Sequence, residues 1–257
     1  MSQAPELSVI VPVFNEVENI SPLWRELDAV LGRLGRSAEV VFVDDGSTDG
    51  SADAIRAVMA QDPRVRLLCF DANAGLTAAF HAGYEAARGQ IVATLDGDLQ
   101  NDPQDLPLLL AALEGTDAAV GWRRQRRDPW PRRASSRVAN AIRNWLTGDA
   151  VRDSACSLRV MRRECVGAIP PYTGMHRFVP TLLRTAGYQV VEVPVHHRPR
   201  RFGRSKYGIK NRALRAFVDL LAVRWMMRRA VRYRVREVTR QETTASATPR
   251  RPSGGGA

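Results

Sequence analysis

Four short apolar runs in the first hundred residues constrain the fold more than any other feature. They are LSVIVPV (7–13), EVVFVD (39–44), VRLLCF (65–70) and QIVATL (90–95), and helix-length segments separate them. Rich in Val, Ile and Leu without strict alternation, they read as strands buried on both faces of a parallel sheet. Of the intervening segments, SPLWRELDAVLGRL places Leu23, Leu27, Val30, Leu31 and Leu34 on one face. Ser21 and Pro22 are its expected N-cap and first helical residue. DGSADAIRAVMAQ and TAAFHAGYEAARG are of similar length, the latter closing at Gly89. Repeated strand–helix units imply right-handed crossovers and an α/β, doubly wound, mostly parallel sheet with helices on both faces. In such sheets ligands bind at the carboxyl ends of the strands.

The later chain reads differently. SSRVANAIRNWLTG is a predicted helix with Val138, Ile142, Trp145 and Leu146 on one side, and QVVEVPVHH (189–197) is a further strand. RPRRFGRSKYGIKN is too basic and Gly-interrupted for a core element and reads as a loop. Residues 211–236 read as helical, and the polar, Pro/Gly/Ser-rich tail from Val238 as disordered. At 257 residues the chain has room for one α/β domain with an appendage.

Charge divides the chain in two. Residues 1–122 hold 7 Lys/Arg against 19 Asp/Glu, whereas residues 123–257 hold 31 against 8. The basic half therefore faces something anionic: nucleic acid, a membrane surface or phosphorylated substrates. Cys69, Cys156 and Cys165 lack CxxC spacing, which points to reduced thiols rather than to a disulfide framework or a zinc site. The start has no signal-peptide pattern, and no window of about 18 apolar residues reads as a transmembrane helix.

The acidic residues of the first half recur where strands end: Glu16 after the first, Asp44 and Asp45 after the second, Asp96, Asp98 and Gln100 after the fourth. One such end is a turn; three on one rim make an electronegative crevice, costly unless a cation or donor-rich ligand fills it. Magnesium or manganese suits these oxygen ligands and is commonly held by one or two carboxylates plus substrate phosphates. In extended backbone, Asp-x-Asp spacing points both carboxylates to one side. His176, His196 and His197 lack metal spacing and receive no catalytic role, and His81 reads as structural.

The series PVFNE, VDDGSTDGS, NAGLTAAFHAGYEAARG and LDGDLQNDP resembles glycosyltransferase family 2, with its GT-A fold, in matching order and spacing over residues 6–122. GWRRQ, RRASSRVAN, LTGDAVRDSACSLRVMRRE and RPRRFGRSKY are similar to one branch, the polyprenyl-phosphate glycosyltransferases that include dolichyl-phosphate mannosyltransferase. The resemblance implies a catalytic domain over residues 1–210, its nucleotide and metal half at 6–122 and its acceptor half at 123–210. A basic amphipathic helical segment (211–237) and a disordered tail (238–257) follow. It implies that Pro12, Phe14, Glu16, Asp44 and Asp45 cradle the nucleotide, joined by Asp96. Asp96 and Asp98 would hold a divalent metal on the donor diphosphate, with Gln100 as a further contact. Arg123, Arg132, Arg200, Ser205 and Lys206 match positions that handle donor or acceptor phosphates. Asp153 is offered as a catalytic base or acceptor-orienting group, and a helix N-cap is its other reading. Phe14 stands where the branch often has Tyr, which keeps stacking and loses a hydroxyl.

The expected activity is metal-dependent, inverting transfer of a sugar from a nucleotide diphosphate to a polyprenyl phosphate. A family 2 enzyme with a soluble or glycan acceptor is the alternative. A polymerising enzyme is disfavoured, because VRW at 223–225 lacks the Gln of a QxxRW motif. A basic nucleic-acid-binding protein is the competing class, set against an acidic first half and the absence of any nucleic-acid-binding motif. Leu214, Phe217, Val218, Leu221, Ala222, Trp225 and Met226 recur at three and four, giving the late helix an apolar face flanked by Arg212, Arg215, Arg228 and Arg229. That pattern implies peripheral binding to an anionic membrane surface at its cytoplasmic face. Packing on the sheet, on a membrane partner protein or on a second copy is the other occupancy of that face.

Overall fold

The computed structural model describes residues 4–124, 141, 143–202 and 210–229, the last segment with side chains from 217 onward. Strands β1 (Leu7–Val13), β2 (Ala38–Asp44), β3 (Val65–Cys69) and β4 (Ile91–Thr94) alternate with helices α1 (Val17–Leu34), α2 (Ser51–Met59) and α3 (Leu76–Ala86). Helix α4 (Leu106–Ala112), β5 (Ala118–Arg123), β6 (Arg159–Arg162), α5 (Val179–Thr185), β7 (Val190–Val195) and α6 (Lys210–Arg229) follow. The strands form one seven-stranded sheet in the order β3-β2-β1-β4-β6-β5-β7. Every pairing is parallel except those of β6, which runs antiparallel to both β4 and β5.

The buried strands explain the layers. All seven β1 residues are buried, and successive side chains go to opposite faces. Val9 and Val11 join Leu23, Leu27, Ile55 and Leu109, so α1, α2 and α4 cover one face. Ile10 joins Phe80, Val179, Leu183, Leu220 and Val223, so α3, α5 and α6 cover the other. The doubly wound expectation holds.

Two helix boundaries differ from the sequence reading, each for a tertiary reason. Helix α1 begins at Val17, so Pro22 lies inside it and Ser21 is not its cap. The N–H groups at its entry are met from the segment that opens α2: Ser51 Oγ accepts from Glu16 N (2.9 Å) and Asp49 Oδ2 accepts from Val17 N (3.0 Å). Helix α3 ends at Ala86, before Gly89. Glycine is needed there for closeness, since a Cβ would lie 2.6 Å from Ser8 N of β1.

Half of the predicted helix at 135–148 falls outside the described residues; 143–147 are helical, and Trp145 is 79% exposed instead of sharing a buried side with Leu146. The tail from 238 also lies outside the described residues. All three cysteines are free, Cys156 and Cys165 buried and Cys69 exposed. Among the described residues no helix is long and apolar enough to cross a membrane.

Candidate active site

The antiparallel β6 decides where the site forms. Thr94, the last residue of β4, pairs with Arg159, the first of β6. The segment that leads into β6 therefore arrives at the rim where the loops leaving β1, β2, β4, β5 and β7 begin. Between them lies a cleft of about 410 Å³. Of the residues expected there, Pro12, Phe14, Glu16, Asp45, Asp96, Asp98, Gln100, Arg123 and Arg200 line it. Arg132, Ser205 and Lys206 lie outside the described residues.

Asp44 and Asp153 do not line the cleft. Asp44 is buried at the end of β2, where one carboxylate oxygen accepts from Ser47 N (3.3 Å) and Oδ1 has no partner among the described residues. Asp45, one residue on, takes the cleft position. It accepts hydrogen bonds from Ala74 N (2.7 Å), Gly75 N (2.9 Å) and Asn73 Nδ2 (2.9 Å). Burial nevertheless holds its carboxyl above the usual range.

The Asp-x-Asp pair is carried by a turn and not, as expected, by extended backbone. Strand β4 stops at Thr94, and Gly97 and Asp98 form the turn. Gly97 passes so close to β1 that a Cβ would lie 2.9 Å from the Pro12 carbonyl oxygen. Leu99 has a φ of 62°, the left-handed region that costs an L-residue roughly 1–2 kcal/mol. Its side chain is 1% exposed, and that burial offsets the strain. The fold thus bends the chain hard to hold Asp96, Asp98 and Gln100 on the rim. Burial, then the neighbouring Asp98, push Asp96 up to about 6, against Ser157, Arg159 and Arg123. Two neighbouring carboxylates on one rim mark a place for positive charge.

Part of that charge comes from the protein. Arg200, in the loop after β7, donates from Nη2 to Asp98 Oδ2 (2.6 Å) and from Nη1 to Glu16 Oε1 (3.0 Å). Arg123, at the end of β5, donates from Nε and Nη2 to both oxygens of Asp153 (2.6 and 2.9 Å). Asp153 is 5% exposed, so this fork is a nearly buried ion pair. Asp153 does not cap a helix. Its oxygens are turned toward Arg123, whose guanidinium edge remains on the cleft wall.

Sequence reasoning overlooked the far wall, formed by Ser154, Ser157, Arg159, His176 and Arg177. Arg159 is 2% exposed and donates from Nη2 to the His176 carbonyl (2.7 Å), while its Nε and Nη1 have no partner among the described residues. A buried guanidinium with two unmet donors is costly without an anion. His176 Nδ1 lies 2.8 Å from Thr77 Oγ1. Arg177 pairs with Asp219 of α6 at 3.4 Å, linking the cleft wall to the last helix.

A divalent cation fits the donor set by its chemistry. Asp96, Asp98 and Gln100 offer hard oxygen ligands. Among the described residues no cluster of three or more His, Cys, Asp or Glu could hold a metal alone.

Comparison with known proteins places the chain. The model of "Glycosyl transferase family 2" matches residues 8–169. The chain is 38% identical over 232 residues to a dodecaprenyl-phosphate galacturonate synthase of Rhizobium johnstonii, covering 88% of this chain and 68% of that protein. Two solved structures share the fold. One is glucosyl-3-phosphoglycerate synthase of Mycobacterium tuberculosis with Mn2+, UDP and glucosyl-3-phosphoglycerate (TM-score 0.64, 20% identity, 86% of this chain and 80% of that one). The other is a mannosyltransferase of Pyrobaculum calidifontis with GDP-mannose and Mn2+ (TM-score 0.62, 23% identity, 86% of this chain and 64% of that one). These likenesses decide for an enzyme against the nucleic-acid-binding reading. With its GT-A sheet and its acidic rim, the chain belongs to glycosyl transferase family 2 and is a glycosyltransferase.

Proposed function

We propose that this enzyme moves a sugar from a nucleotide diphosphate to a polyprenyl phosphate, with a divalent cation and with inversion at the anomeric carbon. One observation carries the reading: a single cleft sets paired aspartates, Asp96 and Asp98, opposite the guanidinium groups of Arg123, Arg159 and Arg200. A cleft so built suits a diphosphate and a second phosphate together, because Arg forks bind phosphate bidentately. The Rhizobium relative, named for dodecaprenyl-phosphate, supports the lipid acceptor. The nucleotide and Mn2+ in the structural neighbours support the donor and the metal.

Phe14 stacks the base, and Glu16 and Asp45 hold the ribose, with Asp44 behind them shaping the strand end. Asp96 and Asp98, with Gln100, hold the cation, which when bound supplies Lewis acidity to the leaving diphosphate. Arg123, oriented by Asp153, receives phosphate oxygens; Arg132, Ser205 and Lys206 complete that set. The acceptor phosphate is already anionic, so in-line displacement needs little general-base help. Asp153 accordingly acts by orienting Arg123. Differential scanning fluorimetry with UDP and with GDP, each with and without Mn2+, tests the donor side. One nucleotide should stabilise the protein by several degrees only when Mn2+ is present, and no stabilisation by either would contradict the reading.

Helix α6 reaches the lipid. Its buried side, Leu220 and Val223, packs on the core, whereas Phe217, Val218, Leu221 and Trp225 are between 44% and 59% exposed. Of the apolar face foreseen from sequence, these four residues are turned outward while Met226 packs on the core, and Arg228 and Arg229 follow. An exposed apolar stripe beside cations suits the interface of an anionic leaflet, each cation contributing about 1 kcal/mol. We place the enzyme peripherally on the cytoplasmic face of the membrane. Co-sedimentation with phosphatidylglycerol-rich liposomes should be strong at low salt and weak at high salt. Leu221→Ser with Trp225→Ser should lower it about tenfold without lowering the thermal midpoint. Unchanged sedimentation would assign this face to a protein partner or a second copy.

A further inference from the structure

We infer that Arg200 is a built-in stand-in for the metal: its guanidinium neutralises Asp98 and Glu16 in the unloaded enzyme, blocks binding of the metal alone, and withdraws when nucleotide and metal arrive together. The inference rests on the proposed metal role of Asp98 and adds to it a rule for the order of loading.

The geometry makes Arg200 and a cation competitors. Arg200 Nη2 sits 2.6 Å from Asp98 Oδ2 and Nη1 sits 3.0 Å from Glu16 Oε1, so one planar group spans the loops after β1 and β4. A metal drawn to Asp98 must displace a charge-assisted hydrogen bond, among the stronger kinds a protein makes. Without Arg200, Glu16, Asp96 and Asp98 would face one cleft as three carboxylates, and their repulsion would draw any divalent cation. With it, the rim is already partly neutral and a bare cation gains less.

The stem of Arg200 is fixed, so the exchange needs only a side-chain rotation. Two residues earlier, Arg198 pairs with Glu26 and Asp102 (both 2.6 Å), and its backbone N–H donates to the Gln100 carbonyl (2.9 Å). His197 bridges to Asn101 in the same strip. The loop is therefore tied to the Asp-x-Asp turn itself, and Arg200 swings from a base that moves with that turn. A diphosphate entering the cleft offers the guanidinium a bidentate anion and frees Asp98 for the cation in the same event. Nucleotide and metal affinities thus become reciprocally coupled.

The test is titration of the full-length protein with Mn2+ alone, following the free-ion signal by electron paramagnetic resonance. Arg200→Gln should bind Mn2+ at least about tenfold more tightly than wild type without nucleotide. Arg201→Gln removes one positive charge from the same loop at an exposed position and should change the affinity less than about twofold, which separates displacement from a general loss of charge. Asp98→Asn should lose the site in either background. Adding UDP and GDP in turn should strengthen Mn2+ binding more in wild type than in Arg200→Gln. If Arg200→Gln and wild type bind Mn2+ equally and Asp98→Asn abolishes both, the metal reading stands and the stand-in role is overturned. An equal gain in Arg201→Gln also overturns it. If no form binds Mn2+, with or without nucleotide, the metal reading and this inference fall together.

Discussion

Asp98→Asn should lower sugar transfer at least about a hundredfold while leaving a folded protein. On the proposed metal role, removing one of the two carboxylate charges would weaken both the ion's binding and its stabilisation of the leaving diphosphate, losses of about 3–4 kcal/mol at comparable electrostatic contacts. The structural cost is small. Asp98 sits in a turn, its oxygens accept from Gln100 N and Arg200, and the isosteric amide still accepts one of these bonds. Arg200 keeps Glu16 as a partner. The expected pattern is a near-wild-type thermal midpoint, little transfer, and no Mn2+-dependent stabilisation by nucleotide. Transfer near the wild-type rate would remove Asp98 from the metal site.

The second large effect belongs to the Arg123–Asp153 fork. Either residue changed alone to Ala leaves the other charge nearly buried without its partner, a loss of about 3–5 kcal/mol for a broken buried pair. Transfer should fall by about a hundredfold in each. The decisive quantity is the double variant. If Asp153 acts only by orienting Arg123, Arg123→Ala with Asp153→Ala loses no more transfer than the worse single variant, and it recovers part of the stability. If Asp153 removes a proton in the reaction, the losses multiply. Asp153→Asn would then also flatten the acidic limb of the kcat/KM–pH profile. Steady-state kinetics on the four proteins beside their thermal midpoints separates the cases.

Why some of this was legible in sequence, and some not, follows from the range of the forces. Strands β1, β2 and β4 announce themselves because burial on both faces demands continuous apolar runs, and the carboxylates that follow them fall on one rim by topology. Strand β6 does not. Its four residues, RVMR, begin and end with arginine, and only pairing with β4 and β5 makes them a strand. The stretch LTGDAVRDSACSLRVMRRE matched the branch by resemblance, but with β6 hidden nothing placed its Ser154, Ser157 and Arg159 in the cleft. The start of α1 was hidden for a like reason, since Asp49 and Ser51 at the entry to α2 meet its first donors. Asp44 and Asp45 are adjacent letters, yet Asp44 closes β2 and only Asp45, just past the strand, lines the cleft. Arg200 was recognisable as a phosphate ligand by resemblance. Its seat on Asp98, 102 residues away in the chain, is a property of the sheet's closure.

The most direct measurement follows labelled sugar from a panel of UDP- and GDP-sugars, with Mn2+, into polyprenyl phosphate carried in liposomes. The account predicts label extracted into organic solvent for one donor. That label should be lost when the lipid phosphate is replaced by the free polyprenol, and lost again with chelator. Label that enters only water-soluble glycan, or transfer that ignores the lipid phosphate, would contradict it.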